Sequence, residues 1–280
     1  MDNFLSSGGG APPGADGRPG TPPGPVNQES SVQILATSGG FRPDGRWGAR
    51  VGPLLDHAIE LAAPAGRPRL CLLQTALGDD QAAYARGYAA LSRDRPDVVV
   101  SHLALFPMPN VADIRAHLLA QDVVWVGGGS VANLLAVWRA HGLDRIMREV
   151  WEAGVVLGGV SAGSLCWHTG GTTDSFGPDL CPVTNGLGLL PHSNTPHYDS
   201  EPARRPLYQR LVAEGTLPAG WATDDGAGLH FRGTELVEAV ADRPDAHAWR
   251  VKPGPAGTAV ETRVPARLLP DPRTAADRAP

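Results

Sequence analysis

The chain has 280 residues, 42% of them hydrophobic, which is enough to bury a substantial core in one domain, with two allowed. Asp and Glu (29) outnumber Lys and Arg (24) for a formal net charge of -5, so composition offers no footprint for nucleic acid or an anionic membrane surface. The three cysteines, Cys71, Cys166 and Cys181, are sparse and lack CxxC spacing, which argues against a disulfide scaffold and against a zinc site.

Residues 1–29 are rich in Gly and Pro and nearly free of aliphatic side chains. Burial there cannot offset the entropy of ordering, so a disordered tail is expected. The tail has neither a basic start nor an apolar stretch, so it does not read as a secretory signal. No run of about 18 apolar residues occurs, so no transmembrane helix is expected. A reducing cytoplasm is the simplest compartment.

From residue 30 the pattern alternates. Ser31–Thr37 is an apolar run ending near Gly39-Gly40, a buried strand and turn. Trp47–Leu61 has helical spacing, Arg69–Gln74 reads as a strand and Asp79–Leu91 as an Ala-rich helix. Val98–Leu105 is a strand, Val111–Leu119 a helix, and Asp122–Val126 a strand closed by Gly127-Gly128-Gly129. Val131–His141 and Leu143–Ala153 are helices, and Val155–Val160 is a strand running into Ser161. Near-continuous aliphatic strands separated by helices imply an α/β fold, a mostly parallel sheet covered on both faces. Beyond Ser161 the pattern blurs into Gly-, Thr- and Pro-rich loops. Trp221–Thr223, Gly228–Phe231, Glu235–Ala241 and Ala248–Lys252 read as later strands. The domain is therefore expected over 30–252, with 253–280 a loose, Pro-rich end.

Gly159-Val160-Ser161-Ala162-Gly163 matches G-x-S-x-G in the context that gives the pattern meaning, an apolar strand before it and a helix able to follow. Such a turn strains its central residue and needs small neighbours. It lifts the hydroxyl above the C-terminal ends of the strands, with a helix N-terminus beneath. A serine needs a base. His192 and His197 lie in a polar loop after the elbow, and the residues alone rank them together. The base needs an acid: Asp174 follows the serine in a Gly/Thr loop, with Asp179, Asp199, Glu201, Asp224 and Asp225 as rivals. The N–H of Ala162 and the backbone of Gly127–Gly129 are candidate donors to an oxyanion.

The blocks VWVGGGSVANLLAVWRAHGL, GGVSAGSLCWHTGGTTDS and GLGLLPHSNTPHYDSE, in that order, resemble the S51 serine peptidases, a family that includes dipeptidase E and the cyanophycinases. The resemblance spans roughly residues 31–240 and is strongest over 122–200. It implies a three-layer sandwich similar to class I glutamine amidotransferases, with serine on the elbow in place of cysteine. It implies Ser161 as nucleophile and His197, in the Pro196-His197-Tyr198 block, as base. It also implies an oxyanion donor at Gly128 or Gly129 beside Ala162, and an acid a dozen or more residues after the serine, for which Asp174 is the nearest fit and Asp179 stays open. Arg204 and Arg205 become candidates to hold a substrate carboxylate, Tyr198 a candidate pocket wall, and Asp224 or Asp225 candidate site residues in the ATDDGAGLHF block.

The expected activity is a serine peptidase acting on short peptides through an acyl-enzyme, with no cofactor and no metal. A small peptide is the expected partner, neither nucleic acid nor membrane is expected, and a homodimer is left open. An α/β-hydrolase-type esterase and a non-catalytic protein binding a small ligand on the same fold are the alternatives. Trp125, Trp138 and Trp151 are expected in the core, and Cys166 as a buried small hydrophobe.

Overall fold

A computed structural model describes residues 32–46 and 48–271. The expected Gly/Pro-rich tail and Trp47 lie outside the described residues. Main-chain order begins with β1 (Gln33–Thr37), then a hairpin of β2 (Phe41–Asp44) and β3 (Gly48–Val51), then α1 (Pro53–Ala62). Residues 48–51, expected as the start of a helix, are thus strand. Pro53 stands in the first helical turn, where its missing N–H costs nothing, and marks where the helix begins. Next come β4 (Arg69–Leu73), α2 (Gln81–Asp94), β5 (Val99–Leu103), α3 (Ile114–Leu119), β6 (Val123–Val126), α4 (Val131–Ala140), α5 (Leu143–Glu152) and β7 (Val156–Val160). Asp80, Asp113 and Ser130 cap α2, α3 and α4 with side-chain oxygens that accept from Ala83, Ala116 and Asn133 N–H.

After Ser161 come α6 (Ala162–Leu165), β8 (His168–Thr173), β9 (Cys181–Val183), β10 (Leu190–Thr195), α7 (Arg204–Ala213), β11 (Gly220–Thr223), β12 (Ala227–Arg232), β13 (Glu235–Ala241), β14 (Ala248–Pro253), β15 (Ala259–Val264) and β16 (Ala266–Leu268). The main sheet has eight strands in the order β16-β13-β12-β1-β7-β6-β4-β5 and is mostly parallel, as expected. Successive residues of its strands serve opposite layers. Ile34 and Ala36 pack with α3, α4 and α5, whereas Leu35 packs with α1 and α2. That makes the α/β three-layer sandwich.

Two segments depart from expectation. The Gly- and Thr-rich stretch after Ser161 is not mere loop: it supplies β8, β9 and β10 of a second, six-stranded sheet ordered β15-β14-β11-β10-β8-β9. Glycines serve there because a Cβ on Gly171 would lie 1.8 Å from Asn194 O on the neighbouring strand, and one on Gly170 2.2 Å from Val183 O. The C-terminal segment from Pro253 is not loose through Leu268. β15 pairs with β14 across six residue pairs, and β16 joins the main sheet beside β13. Their alternating side chains are only half covered, so the apolar signal is weak.

Trp125 is buried in the middle of the main sheet, opposite Gly158. A Cβ on Gly158 would approach the indole at 2.8 Å, and one on Gly40 at 2.7 Å, so both glycines make room for that ring. Trp138, Trp151 and Trp167 are likewise buried.

Candidate active site

β7 ends at Val160, and the chain turns into α6 through Ser161, whose φ is 58° and ψ -113°. That is a strained conformation for a residue with a side chain. Its N–H donates to Thr37 O on the adjacent strand at 3.0 Å, and its C=O accepts from Ser164 and Leu165 N–H. The flanking glycines are steric requirements. A Cβ on Gly163 would sit 2.2 Å from Val126 O, and one on Gly159 2.5 Å from Gly163 O. Ala162 N–H belongs to the first turn of α6, where no intrahelical acceptor exists. Cys166, next to this helix, is fully buried, and burial pushes its thiol well above the usual range, so it is packing rather than chemistry.

Gly127–Gly129 forms the wall beside the serine. Gly127 N–H donates to Leu73 O at 2.8 Å and Ser130 N–H to Ala76 O at 2.9 Å, which anchors the loop on both sides of Gly128 and Gly129. Gly128 passes so close to Ser161 that its Cβ would stand 3.2 Å from Ser161 Cβ and 3.8 Å from Oγ. Gly129 has φ of 126°, and a Cβ there would meet Ala76 O at 2.5 Å.

His197 follows β10 and also holds a positive φ, 57°. Its N–H donates to Ser38 Oγ at 3.1 Å, and its carbonyl accepts from Glu201 N–H. Its Nδ1 lies 2.5 Å from Oδ1 of Asp225, in the turn between β11 and β12. That turn is itself held: Asp225 N–H donates to Asp199 Oδ1 at 2.7 Å, and Arg243 donates through Nε to Asp225 O and through Nη2 to Asp199 Oδ2. The neighbouring Asp224 points inward, where Trp249 Nε1 and His247 N donate to it. Its burial raises the carboxyl above its ordinary value despite those donors.

Ser161 and His197 line one cavity of 390 Å³, together with Gly129, Ser130, Asp174, Ser175, Glu201 and Arg204. A larger cavity of 690 Å³ lies at the opposite end of the sheet, between Val32, Trp151 and 232–235, and it pairs no nucleophile with a base. The smaller one is therefore the candidate site.

The residues expected from sequence divide accordingly. Asp174 reaches the cavity, but the carboxylate bonded to His197 is that of Asp225, one of the rivals to Asp174 and also a candidate to line the site for substrate. Asp179 is exposed and does not line the cavity. His192 is packed against Trp221, with ring centroids 6.4 Å apart, at the other end of β10. Arg204 lines the cavity but is buried: Nε and Nη2 donate to Glu201 at 2.7 and 3.2 Å, and Nη1 donates to Thr172 O at 2.8 Å. Arg205 turns away. It pairs with Glu261 and lies over the Tyr198 and Trp249 rings at 5.1 and 4.3 Å. Tyr198 is buried, with its hydroxyl donating to Glu261 Oε2 at 2.6 Å, so it is not a pocket wall. Sequence reasoning missed Ser38, Ser175 and Arg243. No local signal marks Arg243, because it meets Asp199 and Asp225 only once β12 and β13 have paired.

Comparison with known proteins bears on the family and the fold. The sequence profile of peptidase family S51 matches residues 34–239. The uncharacterized peptidase YgaJ of Bacillus subtilis (strain 168) is 42% identical over 222 residues, covering 78% of this chain and 91% of that protein. Peptidase E of Streptomyces coelicolor is 28% identical over 218 residues, covering 74% and 85%. Among solved structures, a peptidase from an acI-B1 Actinobacterium shares the fold with a TM-score of 0.60 at 16% identity, covering 85% of this chain and 96% of that one. Among the described residues no helix is long and apolar enough to cross a membrane. The chain belongs to peptidase family S51.

Proposed function

We propose that the protein is a serine peptidase that cleaves short peptides bearing a free N-terminus, through an acyl-enzyme on Ser161. The observation that carries this reading is the shared cavity: Ser161 and His197 face it together, and Asp225 occupies Nδ1 of the imidazole. With Nδ1–H donated to Asp225, Nε2 is the nitrogen left to take the Ser161 proton. The Ser161 oxygen attacks the scissile carbonyl, and its proton passes to His197. Negative charge gathers on the carbonyl oxygen against the N–H groups of Ala162 and of Gly128 or Gly129. His197 then gives the proton to the leaving amine. Water, deprotonated by the same imidazole, releases the acid from the serine ester.

Charge around the cavity favours an ammonium on the substrate. Asp174 and Glu201 both line it, while the three nitrogens of Arg204 are engaged by Glu201 and Thr172. A guanidinium so engaged is poorly placed to hold an aspartate side chain, whereas Asp174 has an exposed carboxylate. An α/β-hydrolase esterase is disfavoured because Asp225 and His197 come from a second sheet and its crossover turn rather than from the ends of one sheet's strands.

Labelling with a fluorophosphonate probe and hydrolysis of a dipeptide library, free and N-acetylated, test the proposal. Wild type should label and cleave free dipeptides, and Ser161→Ala should do neither. Labelling that persists in Ser161→Ala, or ligand binding by wild type with no turnover across the library, overturns it.

A further inference from the structure

A second cluster of chemically competent side chains lies beside β1, where His230 on β12 pairs with Leu35. One ligand atom each from His57, His230 and Glu238 falls within 4.8 Å of the others. His230 on β12 and Glu238 on β13 are direct cross-strand partners, so both rise from the same face of the main sheet. His57 comes down onto that face from the buried side of α1, and its Nε2 stands 3.9 Å from Glu238 Oε1.

The outer nitrogens of both imidazoles are engaged. His230 Nε2 lies 2.9 Å from Gln33 Oε1, and His57 Nδ1 faces a Glu60 carboxylate oxygen at 3.5 Å. The inner nitrogens, His57 Nε2 and His230 Nδ1, are sealed from solvent and have no hydrogen-bond partner. A buried polar atom left unpaired is costly and calls for a reason. An imidazole whose outer N–H is held by an oxygen acceptor presents its inner lone pair in a fixed direction, which is how metal-ligating histidines are oriented.

We propose that His57, His230 and Glu238 bind one divalent transition metal of the zinc class and so tie α1 to the β12–β13 hairpin. Two imidazole nitrogens and one carboxylate oxygen suit Zn²⁺, with water in the fourth position and bonds of about 2.0–2.2 Å. The ligand atoms must close inward to reach that distance, which the partly exposed Glu238 side chain allows. Arg267 forks onto the same carboxylate, Nε to Oε2 at 2.8 Å and Nη2 to Oε1 at 2.7 Å. Half its side chain is exposed, so shifting it to share the carboxylate costs little. The absence of any metal expected from sequence spacing does not bear on this cluster, since it exists only after α1 has packed across β12 and β13. The site is independent of the peptidase reading and stands or falls without it.

The full chain, stripped with chelator, is titrated with Zn²⁺ and with Co²⁺. One equivalent of Zn²⁺ should bind with micromolar or tighter affinity and raise the thermal midpoint, and Co²⁺ should show the visible bands of a four-coordinate nitrogen–oxygen site. Glu238→Ala and His57→Ala should each abolish the Co²⁺ bands, and Gln33→Leu, which frees the outer nitrogen of His230, should weaken binding about tenfold. Glu238 is partly exposed at the sheet surface, so its variant remains a fair test if His57→Ala folds poorly. No stoichiometric Zn²⁺ uptake, or uptake with unchanged affinity in Glu238→Ala, overturns the proposal; the latter result places the metal elsewhere on the chain.

Discussion

The Nδ1 atom of His197 and Oδ1 of Asp225 stand 2.5 Å apart, joining the end of β10 in one sheet to the turn that carries the chain from that sheet into the other. In the proposed mechanism the pairing selects the tautomer of the imidazole and leaves Nε2 for the serine proton. Asp225→Asn should therefore leave the fold intact but lower kcat by roughly three to four orders of magnitude, the effect expected when the orienting acid becomes an amide. Steady-state kinetics on a cleaved dipeptide checks this. A loss in Asp174→Asn as large as that in Asp225→Asn would reassign the acid.

Asp174 should act on binding rather than on proton transfer. Its replacement by Asn should raise KM for peptides with a free N-terminus, by about tenfold for one lost charged hydrogen bond, with kcat little changed. The same variant should treat N-acetylated peptides as wild type does. Parallel kinetics on the two substrate forms separates a charge effect from a general defect.

Gly128 and Gly163 are close to the same turn but serve different ends. Gly128→Ala places a methyl 3.2 Å from Ser161 Cβ, beside the reacting oxygen, and should cut kcat about a hundredfold while the protein melts near the wild-type temperature. Gly163→Ala drives a methyl to 2.2 Å from Val126 O and should destabilise the chain by roughly 3 kcal/mol. Urea denaturation and kinetics on both variants read the two effects separately.

Acid should unfold the protein partly through two buried histidines. Burial pushes His168 down to about 3 and His230 down to about 4, from an ordinary value of 6.5. Below 6.5 the unfolded chain takes up protons that the native rings refuse, so stability is complete above that pH and falls as pH drops toward 3. Urea midpoints at pH 7, 5 and 4 should decline for wild type and decline less for His168→Gln.

The two adjacent arginines should behave differently. Arg205→Ala breaks the pairing with Glu261 and the stacking on Trp249, and should lower stability by about 1 kcal/mol because the partly exposed ion pair is screened, with kcat unchanged. Arg204→Ala removes the guanidinium that lines the cavity and leaves Glu201 and Thr172 O without their donors, so both stability and KM should worsen. Thermal melts with kinetics on each variant make the comparison.

How far the chain could be read depended on whether the physical signal is local. Short apolar runs located β1, β4, β6 and β7, and the helices between them, because a parallel strand buried on both faces must be aliphatic throughout; β5, at the sheet edge, was legible from its valines and leucines although Ser101 and His102 interrupt them. The elbow was legible for the same reason: the strain at Ser161 is relieved only by small residues at fixed neighbouring positions, so the requirement is written within five residues. β8 and β10 were not legible, because their glycines and threonines answer to a neighbouring backbone supplied from elsewhere in the chain. α7 was hidden by Arg204, Arg205 and Pro206, which read as a polar turn although proline is harmless in a helix's first turn.

The strained elbow at Ser161, the base candidates, the glycine wall and the layered α/β architecture follow from residue order alone, since each rests on chemistry or sterics among near neighbours in the chain. Which carboxylate holds His197, which arginine meets the cavity, and that His57 meets His230 and Glu238 at all, were decided by the packing of two sheets and a helix. Side-chain direction across a sheet is set by register, and register is a property of the partner strand.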